Sequence, residues 1–255
     1  DGTFPNHPPD PTNPKNLIQI IKVIHENKAD LGIAFDGDGD RIILVKNDGE
    51  IIWPDQLMII FSKQILKSQK GKIVFDIKCS KHLNDSILKS GGEPVVSRTG
   101  HSFIKKSMIE NNAILGGEMS GHIFFNDKWF GFDDGMYAFL RIMEILSNEK
   151  DYNKIFDELP RSLTTPELSI EFKKNNHFNF MNKFVKLAEF DNCQKIDIDG
   201  LKVIYDDGWG LIRCSNTTSC LVLRFEADDK NSMNRIKSKF RDAMLKIDKN
   251  LEIPF

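Results

Sequence analysis

Apolar residues recur along this chain in two alternating patterns, one helical and one extended. Behind Asn13-Pro14, residues Leu17, Ile18, Ile20, Ile21 and Ile24 fall at helical spacing. That predicts a helix with Asn13 as its cap and Pro14 in its first turn. Residues 31–35 then form a short unbroken apolar run, the mark of a buried strand. A second run at 42–45 is followed by Asn47-Asp48-Gly49, a hairpin signal, and by Ile51-Ile52-Trp53. A new unit is expected to open at Pro54-Asp55 with a helix that buries Leu57, Met58, Ile60, Phe61 and Ile65. Beyond it, strands at 73–75, 94–96 and 113–115 alternate with helices at 83–89 and 103–111. This is the α/β pattern. Phe124, Phe125, Trp129 and Phe130 make an aromatic cluster, and 135–147 reads as a strongly apolar helix.

The pattern changes after Leu159-Pro160. Together with Thr164-Thr165-Pro166 this pair predicts a linker. Strands follow at 167–172, 195–198, 201–205, 210–213 and 221–227, then a helix that turns Met233, Ile236, Phe240, Ala243, Met244 and Ile247 inward. Strands with flanking helices over the last stretch read as a small α+β domain.

Composition removes several function classes. The chain has 255 residues, 40% hydrophobic and 28% charged, enough for about two domains of an ordinary globular protein. A net charge of −2 offers no electrostatic footprint for nucleic acid or an anionic membrane. Cys79, Cys193, Cys214 and Cys220 are scattered, so neither a zinc site nor a disulfide framework is expected, and a reducing cytoplasm is the plain expectation. No apolar run approaches the length of about 20 that crosses a bilayer, and no signal peptide is expected. The chain starts at Asp1, and residues 1–14 are rich in proline and polar residues. The start therefore reads as a cut inside a longer protein.

The strand at 31–35 runs straight into Asp36-Gly37-Asp38-Gly39-Asp40-Arg41. Three carboxylates at alternate positions repel one another unless a cation sits among them. Hard oxygen ligands on a tight loop suit Mg²⁺, with glycines that let the backbone fold closely round the ion. Arg41 adds a planar cation suited to phosphate or carboxylate. An EF-hand would need Gly and Glu where Arg41 and Asn47 stand. The loop also resembles the Asp-x-Asp of haloacid-dehalogenase phosphatases, with Asp36 as nucleophile, but departs from them at Asp40.

Two further loops offer chemistry. In Gly116-Gly117-Glu118-Met119-Ser120-Gly121-His122, a carboxylate and a hydroxyl two residues apart suit the vicinal hydroxyls of a sugar. In Gly208 to Thr218, Arg213 offers a fork for phosphate, and Ser215, Asn216, Thr217 and Thr218 add small donors on a turn. Such residues also favour plain turns. Lys78, after a strand, and His101, at a helix start, are candidates for a general acid/base or a phosphate contact. Asp133-Asp134 reads as the cap of the next helix, with a second metal site as the minor alternative.

Taken together, the loops at 36–41, 117–122 and 213–217, in that order and spacing, resemble those of the α-D-phosphohexomutases, in the bacterial phosphomannomutase/phosphoglucomutase branch. Asp1 to His7 and Trp129 to Gly135 agree as well, so the resemblance covers effectively the whole chain. It implies that Asp36, Asp38 and Asp40 hold one Mg²⁺ and that Arg41 lies beside the metal and a phosphoserine. It implies that Glu118 and Ser120 bind sugar hydroxyls and that Arg213, Ser215, Asn216 and Thr217 bind the phosphate not being transferred. Lys78, His101 and His122 would line the cleft, with His101 a candidate proton carrier. The implied reaction interconverts hexose 1-phosphate and hexose 6-phosphate through a phosphoserine and a hexose 1,6-bisphosphate.

Residues 1–50 would be the C-terminal part of a metal-binding α/β domain, 51–160 a complete mixed-sheet α/β sugar-binding domain, and 161–255 the α+β phosphate-binding domain. Two departures stand out. The family's Thr-x-Ser-His-Asn-Pro loop, which carries the phosphoserine, does not occur in these 255 residues. The serine domain is expected on the parent chain, and this polypeptide alone is expected to be inactive, at most a phosphosugar-binding fragment. Ser219-Cys220 stands where relatives tend to have proline.

Overall fold

The computed structural model describes residues 2–172, 176–215 and 218–255. The chain divides into two compact units, Asp1–Leu159 and Pro160–Phe255.

In the first unit a 3-10 turn, Pro14–Leu17, leads into α1 (Ile18–Asn27), and Asn13 accepts a hydrogen bond from the Lys15 N–H as predicted. β1 (Leu31–Phe35), β2 (Ile42–Lys46) and β3 (Ile51–Ile52) form an antiparallel sheet in chain order. Phe35 pairs with Ile42, so the acidic loop is the connection that closes this hairpin. β2 is buried on both faces, which is why it reads as an unbroken apolar run. Ile43 and Val45 pack with Leu17 and Ile24, while Ile42 and Leu44 join Leu57 and Met58 of α2 (Pro54–Leu66). The apolar core therefore continues from the hairpin into the elements after Pro54.

Those elements are β4 (Lys72–Asp76), α3 (Lys81–Lys89), β5 (Glu93–Ser97), α4 (His101–Asn111), β6 (Leu115–Gly117) and β7 (Ile123–Phe125). The sheet order is β5-β4-β6-β7, with the first three strands parallel and β7 antiparallel. Parallel strands bring the ends of β4, β5 and β6 to one edge, where open α/β sheets bind ligands. β6 starts later than the sequence pattern suggests and ends on Gly116-Gly117. A Cβ on Gly117 would lie 2.6 Å from Met58 Sδ, so α2 packs on bare backbone there. α5 (Gly135–Ser147) and α6 (Asn153–Asp157) complete the unit.

In the second unit β8 (Leu163–Thr164), β9 (Leu168–Glu171), α7 (Asn176–Leu187), β10 (Gln194–Ile196), β11 (Leu201–Tyr205), β12 (Gly208–Cys214), β13 (Cys220–Ala227) and α8 (Lys230–Ile247) follow in order. The antiparallel sheet runs β10-β11-β12-β13, and β13 pairs with both β8 and β9. Thr164, expected in a linker, instead pairs with Glu226. Phe180, Phe184 and Phe240 of the two helices pack with Phe225. The overall class is the expected one, mixed α/β followed by α+β. Among the described residues no helix is long and apolar enough to cross a membrane.

Candidate active site

The β1–β2 hairpin holds the acidic loop open at one end. Asp36, Asp38 and Asp40 each present a carboxylate oxygen within 4.8 Å of the others. Asp36 is deeply placed: Oδ1 accepts from the Arg41 backbone at 3.1 Å and Oδ2 from Arg41 Nε at 2.6 Å. Burial alone would raise its pKa, but the hydrogen bonds and charge of Arg41 hold the carboxyl below the usual range. Asp40 goes the other way. Burial pushes its pKa up, and the charges of Asp36 and Asp38 add to the rise against the pull of His122. Asp40 Oδ1 is buried with no hydrogen-bond partner. An acceptor-only oxygen left over inside a cluster of carboxylates fits a hard divalent cation.

The glycine-rich loop at 117–122 is stitched to the acidic loop through backbone. Arg41 and His122 form an isolated antiparallel bridge, and the Ile42 N–H donates to Gly121 O at 3.2 Å. Gly121 sits at φ 107, in the left-handed region, with Ile42 backbone atoms 3.1 Å from where a Cβ would be. A third segment is tied in by the Gly135 N–H, which donates to Gly39 O at 3.1 Å. Glu118 is buried and accepts from the Gly100 N–H with Oε1, while Oε2 lies 3.1 Å from His122 Nδ1. Ser120 Oγ is 3.0 Å from the same ring nitrogen. His122 Nε2 is 3.3 Å from Asp40 Oδ2, and its ring stacks on His101 with centroids 5.5 Å apart. Burial lowers the His122 pKa, but Glu118, Asp40 and Asp133 together raise it above the ordinary value. Four predicted residues, Glu118, Ser120, His122 and His101, thus converge with the acidic loop in one unit.

Two carboxylates, Asp133 and Asp76, take places other than the main sequence reading gave them. Asp134 caps α5, accepting from the Tyr137 N–H at 2.8 Å, but Asp133 turns away from the helix. Its Oδ1 takes Lys105 Nζ at 2.8 Å and its Oδ2 lies 3.4 Å from His101 Nδ1. Asp76, the last residue of β4, is fully buried. It accepts from Cys79 Sγ at 3.0 Å, from the Met119 N–H at 3.3 Å and from Thr99 Oγ1 at 3.4 Å. It therefore ties together the three loops at the carboxyl edge of the sheet. Burial raises its pKa, with Glu118 adding and Lys78 opposing. An Asp at the end of an apolar strand was the available signal. Lys78 is half-buried on the same loop.

In the second unit Arg213 is the penultimate residue of β12 and is buried. Its Nε donates to Asp199 Oδ2 at 2.9 Å, and Asp199 is itself buried. Nη2 is buried with no hydrogen-bond partner. Ser215 Oγ accepts from the Thr218 N–H at 3.2 Å and from Thr218 Oγ1 at 2.8 Å, closing the turn after β12. Asn216 and Thr217, the other predicted anchors, lie outside the described residues.

Three family models match in succession along the chain. Phosphoglucomutase/phosphomannomutase alpha/beta/alpha domain II matches residues 1–49, domain III residues 53–163, and the C-terminal domain residues 177–243. A phosphomannomutase/phosphoglucomutase of Pseudomonas aeruginosa is 46% identical over 257 residues, covering 100% of this chain and 56% of that protein. A phosphoglucomutase of Neisseria meningitidis serogroup A is also 46% identical, with the same coverage. A phosphoglucomutase/phosphomannomutase family protein of Burkholderia thailandensis superposes with a TM-score of 0.94 at 42% identity, covering 100% of this chain and 55% of that one. The chain spans a little over half the length of the relatives it matches.

Proposed function

We propose, from the premise that the chain belongs to the bacterial phosphomannomutase/phosphoglucomutase branch of the α-D-phosphohexomutase family, that its loops bind hexose phosphates for intramolecular phosphoryl transfer. The parent activity is the interconversion of hexose 1-phosphate and hexose 6-phosphate through a phosphoserine and a hexose 1,6-bisphosphate. Residues 1–50 supply the metal loop, 51–160 the sugar loop and 161–255 the phosphate anchor. The observation that carries this reading is the join between the acidic loop and the loop at 117–122, through the Arg41–His122 bridge and the 3.3 Å Asp40–His122 contact.

Phosphoryl transfer asks a protein mainly for positioning and charge neutralisation. Asp36, Asp38 and Asp40 would hold Mg²⁺, which when bound neutralises charge on the transferring phosphate. Arg41, oriented by Asp36, places its guanidinium beside that phosphate. Glu118 and Ser120 accept and donate to sugar hydroxyls, with Glu118 fixed by Gly100. His101, stacked on His122 and next to Asp133, moves a proton at the reacting hydroxyl. Lys78 offers a cation at the mouth of β4. Arg213, Ser215, Asn216 and Thr217 grip the phosphate that is not transferred. The phosphoryl-carrying serine is not among these residues. The rival reading, with Asp36 as nucleophile, gives no role to the loops at 117–122 and 213–217.

Calorimetric titration of the 255-residue chain with glucose 1,6-bisphosphate in Mg²⁺ tests the proposal. Binding is expected without turnover, weakened about 10-fold or more by Glu118→Ala, the loss of a charge-assisted hydrogen bond. Turnover by the chain alone, or binding indifferent to Glu118, would sink it.

A further inference from the structure

We propose that His177 is a positioning residue for the phosphate turn of the second unit, holding both arms of that turn at once. α7 turns His177, Phe180, Met181 and Phe184 inward, and His177 is the polar member of this row, 2% exposed. A buried imidazole N–H needs a partner. It meets one on the arm that returns from the turn, where Nδ1 lies 3.2 Å from Ser219 Oγ. The same residue reaches the outgoing arm through its backbone: His177 O accepts from Cys214 Sγ at 3.8 Å. Burial pushes the Cys214 thiol up to about 11, so it keeps the proton it shares. Cys214 and Ser219 bracket residues 215–218, so one residue of α7 touches both ends of the segment that follows Arg213.

The polarity of the bonds fixes the ring. Ser219 Oγ donates to Phe172 O at 3.2 Å, and a hydroxyl has one proton to give. His177 then donates through Nδ1–H, so the hydrogen bonds run from His177 to Ser219 to Phe172, just past β9. The Phe172 N–H donates back to Ser219 O at 2.9 Å. Inside the turn the Ser215 N–H donates to Cys220 O at 2.9 Å and the Thr218 N–H to Ser215 Oγ at 3.2 Å. α7 is itself seated in the core, with Phe184 against Phe240. Both arms are therefore referred to a packed helix, the kind of support that keeps a binding loop in its geometry. Ser219 stands where relatives tend to have proline. Proline stiffens a turn by fixing φ. Here the bond to His177 does by hydrogen bonding what that ring does covalently. That the turn grips a phosphate rests on the function proposed above; that His177 holds the turn does not.

The test is amide hydrogen exchange at Ser215, Thr218 and Cys220 in the 255-residue chain without ligand, beside titration with glucose 1,6-bisphosphate in Mg²⁺. Relative to the Val203 amide in β11, His177→Ala and Ser219→Ala should each speed exchange at those amides about 3–10-fold, the loss of one hydrogen bond. The double variant should be no faster than the faster single one, because both changes remove the same bond. His177→Asn, whose amide can stand in for Nδ1–H, should keep the original rate, and His177→Ala combined with Ser219→Pro should recover most of it. Bisphosphate affinity should follow the same order, falling about 3–10-fold where the turn opens. The ¹⁵N resonances of the His177 ring in the unaltered chain should show Nδ1 protonated, a reading that needs no variant, so a misfolded mutant cannot decide the matter. Additive effects of the two alanine variants, unchanged exchange in Ser219→Ala, or an Nδ1 without its proton would overturn the proposal. Exchange that behaves as expected while bisphosphate binding is indifferent would uphold His177 as the support of the turn and count against the turn as a phosphate anchor.

Discussion

At the end of β1 three carboxylates share one arginine; at the end of β12 one arginine is matched by one carboxylate. In the first unit Arg41 is committed to Asp36, and Asp40 Oδ1 is left buried as an unused acceptor. In the second, Arg213 is tied to Asp199 through Nε, and Nη2 is left buried as an unused donor. The leftover atom sets the sign of the ligand each place can take. An oxygen with no hydrogen to share asks for a cation, and a guanidinium N–H asks for an anion. Both places leave a polar atom unsatisfied when empty, and such atoms are costly in a folded interior.

Three perturbations probe this contrast. The largest effect should come from Arg213→Ala, which removes the cation from beside a carboxylate that stays buried. Breaking such a pair costs about 3–5 kcal/mol. Urea denaturation followed by signals of the second unit should show this loss; a cost below about 1 kcal/mol would mean the pair is not structural. Next, Mg²⁺ at about 100 times its dissociation constant should stabilise the first unit by about 2.7 kcal/mol. Asp40→Asn should abolish that response while leaving the metal-free chain no less stable, since it removes a crowded charge. A melting midpoint that ignores Mg²⁺ in the wild-type chain would break the contrast on its acidic side. The smallest effect concerns Asp76, whose folded pKa is raised above the ordinary 3.8. A carboxyl of that kind holds its proton more tightly when folded, so its contribution to stability falls as pH rises from 3.8 through the folded value. It then levels off. The slope is at most about 1.4 kcal/mol per pH unit. Asp76→Asn should remove that slope; identical pH profiles for mutant and wild type would show that Asp76 does not titrate differently in the folded chain.

The periodic elements of the first unit were legible because their apolar spacing is clean and their turns carry glycine or asparagine. Asn13, Asn47-Asp48-Gly49 and Asp134 all do what their residue types suggest. α7 went unread although His177, Phe180, Met181 and Phe184 stand at helical spacing and are buried. Its phenylalanines and asparagines are weak helix formers, and tertiary packing on Phe240 overrides that preference. β8 was masked by the prolines around it and is recognised only through its partner β13. In the site, the loop residues announced themselves by type and spacing. Their supports did not. Asp199 meets Arg213 through the pairing of β11 with β12, and Asp133 meets Lys105 through tertiary packing. No local pattern encodes such meetings.

The acidic loop closes on backbone partners that come much later in the chain, Gly121 and Gly135. During synthesis, at about 5–20 residues per second, residues 36–41 must wait on the order of 5–20 s before Gly135 has been made. The hairpin can form before that, but the Ile42 N–H waits for Gly121 and Gly39 O for Gly135. The cation trap is therefore a late product of folding. A nascent chain stalled before Gly121 would carry every carboxylate of that loop and still hold the ion poorly.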